Sequence, residues 1–456
     1  MKCFKYLVAL LCGSTLHAQT PAIFASGTNP SQLATVSANL AITGLTIPTT
    51  FVGISTENQD LINGYFQGTS GNAASFIGLA NLLGANGYLR IGGGSADFGT
   101  APALTAGICT NLAAFVAALG AGWKVIYTLD AVANNSTTAA TQAGLLATAL
   151  GTANVVFGYG NEPITSGHFN AGTYATMWNA YQTAVVAAVP GALVQASDDG
   201  LIAGSGTQTA LAGLSVATSG LAFVTVHEYE YGAPTTLTNP GIPLSSWQDS
   251  GKYQIGNLTS WASLTKMRVT EGNMISNKGQ AGMTDRLMHS AYTAMKYIDL
   301  AKLGWAGYDP HNFYSAPQAN YNSLVQQVDG GFSPGASFYA MYLVSKLTGQ
   351  TIVASSVTGN VTAIATQRAA GKANILVVNL DTNSPATVTP AQSSAWSTAN
   401  VLAVRGGTNN GCTDSTITLG GQPIGESGAW AGAPFSISNG QSISLAPCEL
   451  ALVQVQ

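Results

Sequence analysis

The sequence predicts an α/β fold: a (β/α)8 (TIM) barrel followed by a C-terminal antiparallel β-sandwich. Three observations predict it. Between about residues 50 and 310, short apolar, β-branched runs alternate with longer Ala/Leu-rich stretches of helical period. There are eight such runs over roughly 250 residues, the arithmetic of eight strand–helix units. Beyond 350 the texture becomes Val/Thr/Ser/Ile alternation with Gly-, Asn- and Pro-rich turns, as in strands buried on one face. A doubly wound open sheet is the alternative for the first part.

In order, the predicted barrel strands are 51–55, 88–91, 124–129, 154–158, 192–196, 223–227, 266–270 and a weaker 304–308. Helices are predicted at 73–83, 109–119, 138–150, 173–189 and 284–302, and a last one at 335–347. Residues 30–48 alternate like the C-terminal region, so strands from 19–49 are expected to join the sandwich. The expected organisation is a signal peptide (1–18), that N-terminal segment (19–49), the barrel (50–348) and the sandwich (349–456).

Residues 1–18 read as a secretory signal: Lys2 and Lys5, an apolar core over 6–12, and Leu16-His17-Ala18 ahead of cleavage. Leu11 before Cys12 argues against a lipoprotein, whose processing favours a small residue there. The expected localisation is secreted, periplasmic or extracellular. Cleavage would leave 13 basic against 19 acidic residues, and three cysteines: Cys109, Cys412 and Cys448. An oxidising destination permits a disulfide. Cys412 and Cys448 share the β-rich region and are the expected pair, with Cys109 a buried thiol. Three unpaired cysteines is the alternative, since spacing does not set connectivity.

Only 34 of 456 residues are charged, or 7%, against about 25% in ordinary soluble proteins. That excludes the basic footprint of a nucleic-acid binder and disorder driven by net charge. Mean hydropathy is +0.23. Past the N-terminus, however, no apolar run approaches the roughly 18–20 residues of a membrane span. No Cys-x-x-Cys or His-x-x-x-His spacing occurs, so no metal or cofactor is expected. With so few carboxylates to titrate, composition alone predicts nearly flat stability from pH 3 to 7.

Scarcity makes the acidic residues informative. The seven glutamates are Glu57, Glu162, Glu228, Glu230, Glu271, Glu426 and Glu449. The first five fall at predicted strand ends, where barrel enzymes hold their chemistry. Glu162 follows the fourth strand in Gly160-Asn161-Glu162-Pro163, and Glu271 ends the seventh. These two strands lie across the barrel mouth from one another. Two carboxylates in unlike surroundings are what glycoside hydrolysis needs, one protonated as acid and one ionised as nucleophile.

Here the chain resembles a known group. Asn161-Glu162-Pro163, with a glutamate ending the seventh strand, is similar to the clan of retaining (β/α)8 glycosidases. Within it the chain most resembles glycoside hydrolase family 79, the β-glucuronidases and heparanases. The motifs are Leu89-Arg90-Ile91-Gly92-Gly93-Gly94-Ser95-Ala96-Asp97, His227-Glu228-Tyr229, the stretch 307–312, and Ser337-Phe338-Tyr339-Ala340-Met341. The β-sandwich matches that family's second domain. The resemblance implies Glu162 as acid/base, Glu271 as nucleophile, Asn161 on the sugar 2-hydroxyl and Tyr229 hydrogen-bonding the nucleophile. Two features depart from the family: Gly94 stands where Asn is expected, and 272–280 does not follow the loop that helps recognise the uronate carboxylate.

Other residues have competing readings. Glu57 either binds a sugar hydroxyl, as the family's first-strand acid does, or caps the next helix. Tyr229 otherwise packs at the rim, and Tyr231 is a candidate sugar contact. At least one of Glu228 and Glu230 is expected to face solvent. Arg90 is expected to pair with a carboxylate inside the barrel. His227 and His311 sit at strand ends and His168 and His289 on the surface or in helix packing. The run Gly92–Gly94 lacks a following Gly-Lys-Ser/Thr and is not a phosphate loop. Gly331–Gly335 places Pro334 after its serine and is not a nucleophile elbow.

The expected function is a secreted retaining β-glucuronidase acting on a carbohydrate, without nucleic-acid partner or membrane span. The alternatives are the same mechanism on another sugar (glucoside, xyloside, 4-O-methylglucuronide) or a non-catalytic carbohydrate-binding barrel. Sulfated polyanions are disfavoured by the few basic residues.

Overall fold

A computed structural model of the chain describes residues 30–97, 104–200, 220–232, 266–314, 321–328, 331–407 and 411–456. The signal peptide expected over 1–18 lies outside these residues.

The chain enters through the sandwich. Strand β1 (Gln32–Thr46) runs antiparallel to β12 (Thr351–Val357) and parallel to β15 (Ala386–Gln392). The barrel follows: β2 (Ile54–Glu57), β3 (Asn86–Gly92), β4 (Gly122–Leu129), β5 (Val155–Tyr159), β6 (Leu193–Gly200), β7 (Leu221–Tyr231), β8 (Met267–Ile275) and β9 (Gly307–Pro310). They form one parallel sheet in chain order. Parallel bridges Val52↔Tyr308 and Ser55↔His311 join the last strand to the first. Tyr308 N–H donates to the Phe51 carbonyl (3.0 Å) and Phe313 N–H to that of Ser55 (2.7 Å). The sheet is therefore a closed barrel, not a doubly wound sheet.

The helices are α1 (Asn58–Ile62), α2 (Asn72–Asn81), α3 (Ala106–Leu119), α4 (Ser136–Leu150), α5 (Ala171–Ala188), α6 (Leu287–Leu303) and α7 (Ala336–Ser345). Their starts follow from capping chemistry. Thr105 and Asn135 accept the N–H groups of Ile108 and Thr138, and Asn170 forms a reciprocal capping box with Thr173. Gly304, in the left-handed region at φ +78°, ends α6.

After the hairpin of β10 (Val325–Val328) and β11 (Gly331–Pro334) comes the rest of the sandwich. It comprises β13 (Val361–Ala369), β14 (Lys372–Asn379), β16 (Thr398–Gly406), β17 (Ile417–Leu419), β18 (Phe435–Ser438), β19 (Ile443–Leu445) and β20 (Leu450–Val455). Only β1 beside β15 is a parallel pair among these strands. Alternate residues of β14 serve two cores. Ile375 and Val377 pack inside the sandwich with Val36, Val401 and Val453, whereas Leu376 and Val378 join the apolar cluster that contains α6, α7 and the barrel. This is why 375–378 reads as a continuous apolar run rather than an alternating one.

Cys412 and Cys448 are disulfide-bonded, and Cys109 is a buried free thiol that burial pushes up to about 11. The disulfide pins a loop whose carbonyls at Asp414 and Cys412 accept the first N–H groups of α6, from Leu287 (2.9 Å) and Met288 (3.0 Å). Those donors have no partner inside the helix, so the sandwich completes a barrel helix.

Deep in the barrel, Arg268 pairs with Asp309 through two nitrogens, both side chains fully buried, with the guanidinium stacked 4.7 Å over Tyr88. Gly53 is required here, because a methyl group would collide with Asp309 and Arg268. Gly53→Ala should therefore cost roughly 3–5 kcal/mol, the penalty for breaking a buried ion pair. Urea unfolding measures it; an unchanged midpoint would contradict this packing.

Candidate active site

Polar strand ends build the mouth of the barrel. The strands β6, β7 and β8 run past their predicted ends at 196, 227 and 270 to Gly200, Tyr231 and Ile275. Periodicity could not show this, because the added residues (Ser197-Asp198-Asp199, Glu271-Gly272-Asn273) are polar. They stay in the sheet despite a bulge between Ser197 and Asp199, where Asp198 takes φ +60°, and the Asp198 and Glu271 carboxylates find partners inside the barrel.

Arg90 on β3 is the hub. It is wholly buried and donates to Glu271 Oε2 (2.6 Å), Asp198 Oδ2 (2.8 Å), Asn161 Oδ1 (2.6 Å) and Ser55 Oγ (3.3 Å). Gly92 leaves the space it occupies: a Cβ there would strike the guanidinium and Thr128.

Glu271 is 7% exposed. Besides Arg90 it accepts the Tyr229 hydroxyl at Oε1 (2.7 Å), with His227 and His311 3.8 and 3.9 Å from Oε2. Burial alone would raise its carboxyl. His311, His227, Arg90 and the Tyr229 hydroxyl outweigh burial and hold it down at about 2.

Glu162 stands on a bend that the chain must be forced to make. Gly160 has φ +86° and Glu162 itself φ +48°. Three aspartates hold the bend. Asp97 accepts the N–H groups of Asn161 (2.5 Å) and Ala131 (3.1 Å). Asp199 accepts those of Ile164 and Thr165 (3.0 Å each), and the Asp198 carbonyl accepts that of Glu162 (2.8 Å). The Glu162 side chain remains 27% exposed and meets His227 Nδ1 at 2.9 Å. Oxygens of Glu162 and Glu271 and a nitrogen of His227 all lie within 4.8 Å of one another. The two carboxylates thus face each other across the mouth. Because Arg90 takes Asn161 Oδ1, the amide nitrogen of Asn161 is the end left to serve a ligand.

Glu57 lies on the opposite rim. It accepts Ser95 N–H (3.0 Å) and Oγ–H (2.5 Å) and sits 3.2 Å from His311 Nε2. Burial would raise its carboxyl, but His311 lowers it on balance. The Glu57 side chain offers no capping bond to α1. Gly93, at φ +71°, is required because a Cβ would meet this carboxylate. A three-residue 3-10 turn, Gly94–Ala96, does follow the glycines, and its Ser95 N–H holds Glu57. Tyr231 shares the strand face of His227 and Tyr229 and packs, partly buried, against the core.

One expectation changes. Neither Glu228 nor Glu230 is exposed. Glu228 is buried 3.4 Å from the buried Lys296 of α6, because alternation along β7 turns it to the face opposite His227 and Tyr229. As expected, His289 is buried in helix packing, its Nδ1–H donating to the Thr284 carbonyl (2.7 Å) with Nε2 3.1 Å from Asn273 Oδ1, and His168 is exposed.

Asp198 was missed. It is fully buried, and its carboxylate meets Arg90, His227 Nε2 (3.1 Å), Thr270 Oγ (2.6 Å) and Thr128 Oγ (3.1 Å), holding it far below the ordinary carboxylate range. A count of aspartates at strand ends alongside glutamates would have found Asp198-Asp199.

Glu162, His227 and Glu271 are the one group of possible metal ligands among the described residues. The donor set does not suit a cation. Both ring nitrogens of His227 face carboxylates, which calls for a proton on each, and Arg90 already neutralises Glu271.

No protein-family model and no curated protein matches the chain. Among solved structures it superposes on a 4-O-α-L-rhamnosyl-β-D-glucuronidase from Fusarium oxysporum 12S at TM-score 0.71 and 16% identity, covering 91% of this chain and 99% of that one. A family 51 arabinofuranosidase from Xanthomonas axonopodis pv. citri gives 0.67 at 14%, covering 93% and 100%. A monomeric β-xylosidase from Caulobacter crescentus CB15 gives 0.63 at 13%, covering 92% and 99%. At these identities the likeness is one of fold.

The buried acids set a pH profile of stability. Glu271 and Asp198 are depressed, so their contribution is present above their unfolded values near 4 and is lost as pH falls towards 2. Burial raises Asp60 to about 7 and Asp97 to about 6, so ionising them costs stability as pH rises from about 4 to 7. His227, raised to about 10, contributes below about 6.5 and loses that contribution as pH rises through about 10. Stability should therefore peak near pH 4–5 rather than stay flat. Urea midpoints at pH 3, 4.5 and 7 test this; three equal values would contradict it.

Proposed function

We propose that the chain is a secreted retaining glycosidase that releases terminal β-linked glucuronic acid, with its signal peptide cleaved near Ala18. The observation that carries the mechanism is the approach of Glu162 and Glu271 oxygens to within 4.8 Å, with unlike surroundings. Retention calls for carboxyl groups roughly 5–5.5 Å apart, and inversion for about 6.5–9.5 Å.

In the first step the Glu271 carboxylate attacks the anomeric carbon. The glycosidic C–O bond breaks, and its electron pair takes the proton of Glu162 to release the alcohol. In the second, Glu162 as carboxylate removes a proton from water, whose oxygen displaces Glu271 and regenerates both groups. Each inversion at carbon cancels the other. Arg90 and Tyr229 hold Glu271 ionised and aimed. Asn161 serves the 2-hydroxyl, and Glu57 and Tyr231 serve other sugar hydroxyls. No metal or cofactor takes part in this scheme.

The family 79-like motifs and the likeness to a fold-mate that acts on a rhamnosyl-glucuronide support glucuronate as the sugar. The arabinofuranosidase and xylosidase folds, together with Gly94, favour a second reading with the same chemistry on a neutral sugar. Aryl β-glycosides separate the two, and hydrolysis of none of them supports a carbohydrate-binding barrel.

With the sugar that is cleaved, Glu271→Ala should lower kcat on the order of 10⁴-fold or more. Azide should restore turnover and give the α-glycosyl azide. Full activity in this variant would exclude Glu271 as nucleophile. Tyr229→Phe removes a hydrogen bond to a charged group worth about 1.5–3 kcal/mol. It should cut kcat/KM about 10- to 100-fold and move the acid limb of the pH profile upward; an unmoved limb would remove Tyr229 from this role.

A further inference from the structure

We infer that Asp198, which no substrate would touch, is a positioning residue. It keeps His227 as an imidazolium, and the imidazolium directs the proton of Glu162 to the oxygen that faces the leaving group. The inference rests on the glycosidase reading and adds to it a means of orienting the acid.

The argument is one of donors and acceptors. His227 is 2% exposed, and each ring nitrogen faces a carboxylate: Nε2 the Asp198 Oδ1 at 3.1 Å, and Nδ1 the Glu162 Oε1 at 2.9 Å. A neutral imidazole could donate to only one of them, leaving a lone pair against an oxygen at the other. The charged ring donates to both. The groups facing it are Asp198 from β6, Glu162 after β5, Glu271 from β8 and Arg90 from β3. Arg90 Nη2 approaches Nε2 to 3.3 Å, a like-charge contact offset by Asp198, which binds both cations.

Asp198 itself has no reason to accept a proton. Four donors from four strands converge on its two oxygens: Arg90 and Thr128 on Oδ2, His227 and Thr270 on Oδ1. Its backbone carbonyl also holds the Glu162 N–H. One residue therefore touches the backbone of the acid and the cation on its side chain. With His227 Nδ1–H occupying Oε1, a proton on Glu162 sits on Oε2. When Oε2–H is given to the leaving oxygen, the carboxylate that remains is stabilised by the imidazolium already in contact with it.

The test uses the full-length secreted protein and its Asp198→Asn variant. The first readout is ¹⁵N NMR of His227. The ring should stay doubly protonated through pH 8 in the parent and titrate at least two pH units lower in the variant. The second is the leaving-group dependence of kcat/KM. A dinitrophenyl glycoside leaves without acid assistance, whereas a methylphenyl glycoside needs it. The variant should lose roughly 10²-fold or more on the methylphenyl substrate, the scale of general acid catalysis, and under about 10-fold on the dinitrophenyl one. If Asp198→Asn does not fold, His227→Gln, which keeps an N–H for Glu162 without the charge, should show the same selective loss. Equal losses on both substrates, or an unshifted His227 titration, would overturn the inference. A parent that hydrolyses no glycoside sinks the glycosidase reading and this role with it; an active parent with uniform loss in the variant sinks this role alone.

Discussion

A guanidinium sealed inside a barrel must be answered by anions, and Arg90 is answered by two. One is Asp198, which is fully buried; the other is Glu271, at the edge of the opening. Replacing a buried ion pair by apolar side chains is often neutral or stabilising. Stability is therefore a poor reason for Arg90 to be there. What it supplies is position. Its fork fixes the Glu271 carboxylate on β8, the Asn161 amide just after β5 and Asp198 on β6 at once. Only a residue that reaches across the barrel axis can do this, and only glycine at 92 leaves it room.

The same network makes two carboxylates unlike. Glu271 is enclosed by an arginine, a tyrosine hydroxyl and two histidines, and stays ionised far into acid. Glu162 stands on a strained bend, more open to the mouth, with one imidazole for a partner. Double displacement needs such an asymmetry, because one group must arrive with a proton and the other without.

Sequence reading reached the barrel and both glutamates by different routes. Apolar period located every barrel strand, since parallel strands are buried on both faces and read as short continuous runs. The period stopped where those strands turned polar, so the ends of β6, β7 and β8 were invisible, and with them Asp198 and Asp199. Glutamate scarcity compensated in part, placing Glu162 and Glu271 at strand ends. Charge partnership was not legible. Arg90 was expected to meet a carboxylate, but which one depends on strands far apart in sequence. Glu228 shows the converse: it shares a motif with His227 and Tyr229, yet alternation turns it outward onto Lys296. The low charge content takes on a physical sense here. Six of the 19 acidic residues, Glu57, Asp97, Glu162, Asp198, Asp199 and Glu271, lie at the mouth, where they hold one another and Arg90 in place.

The central claim is that Glu271 carries the sugar covalently between two displacements. Incubation with a 2-deoxy-2-fluoro glycoside of the sugar that is cleaved, followed by peptide mass mapping, tests it directly. The account predicts a single glycosyl adduct on the peptide containing Glu271, formed as activity is lost. An adduct on Glu162 or Glu57, or hydrolysis that yields the inverted sugar with no adduct, would contradict it.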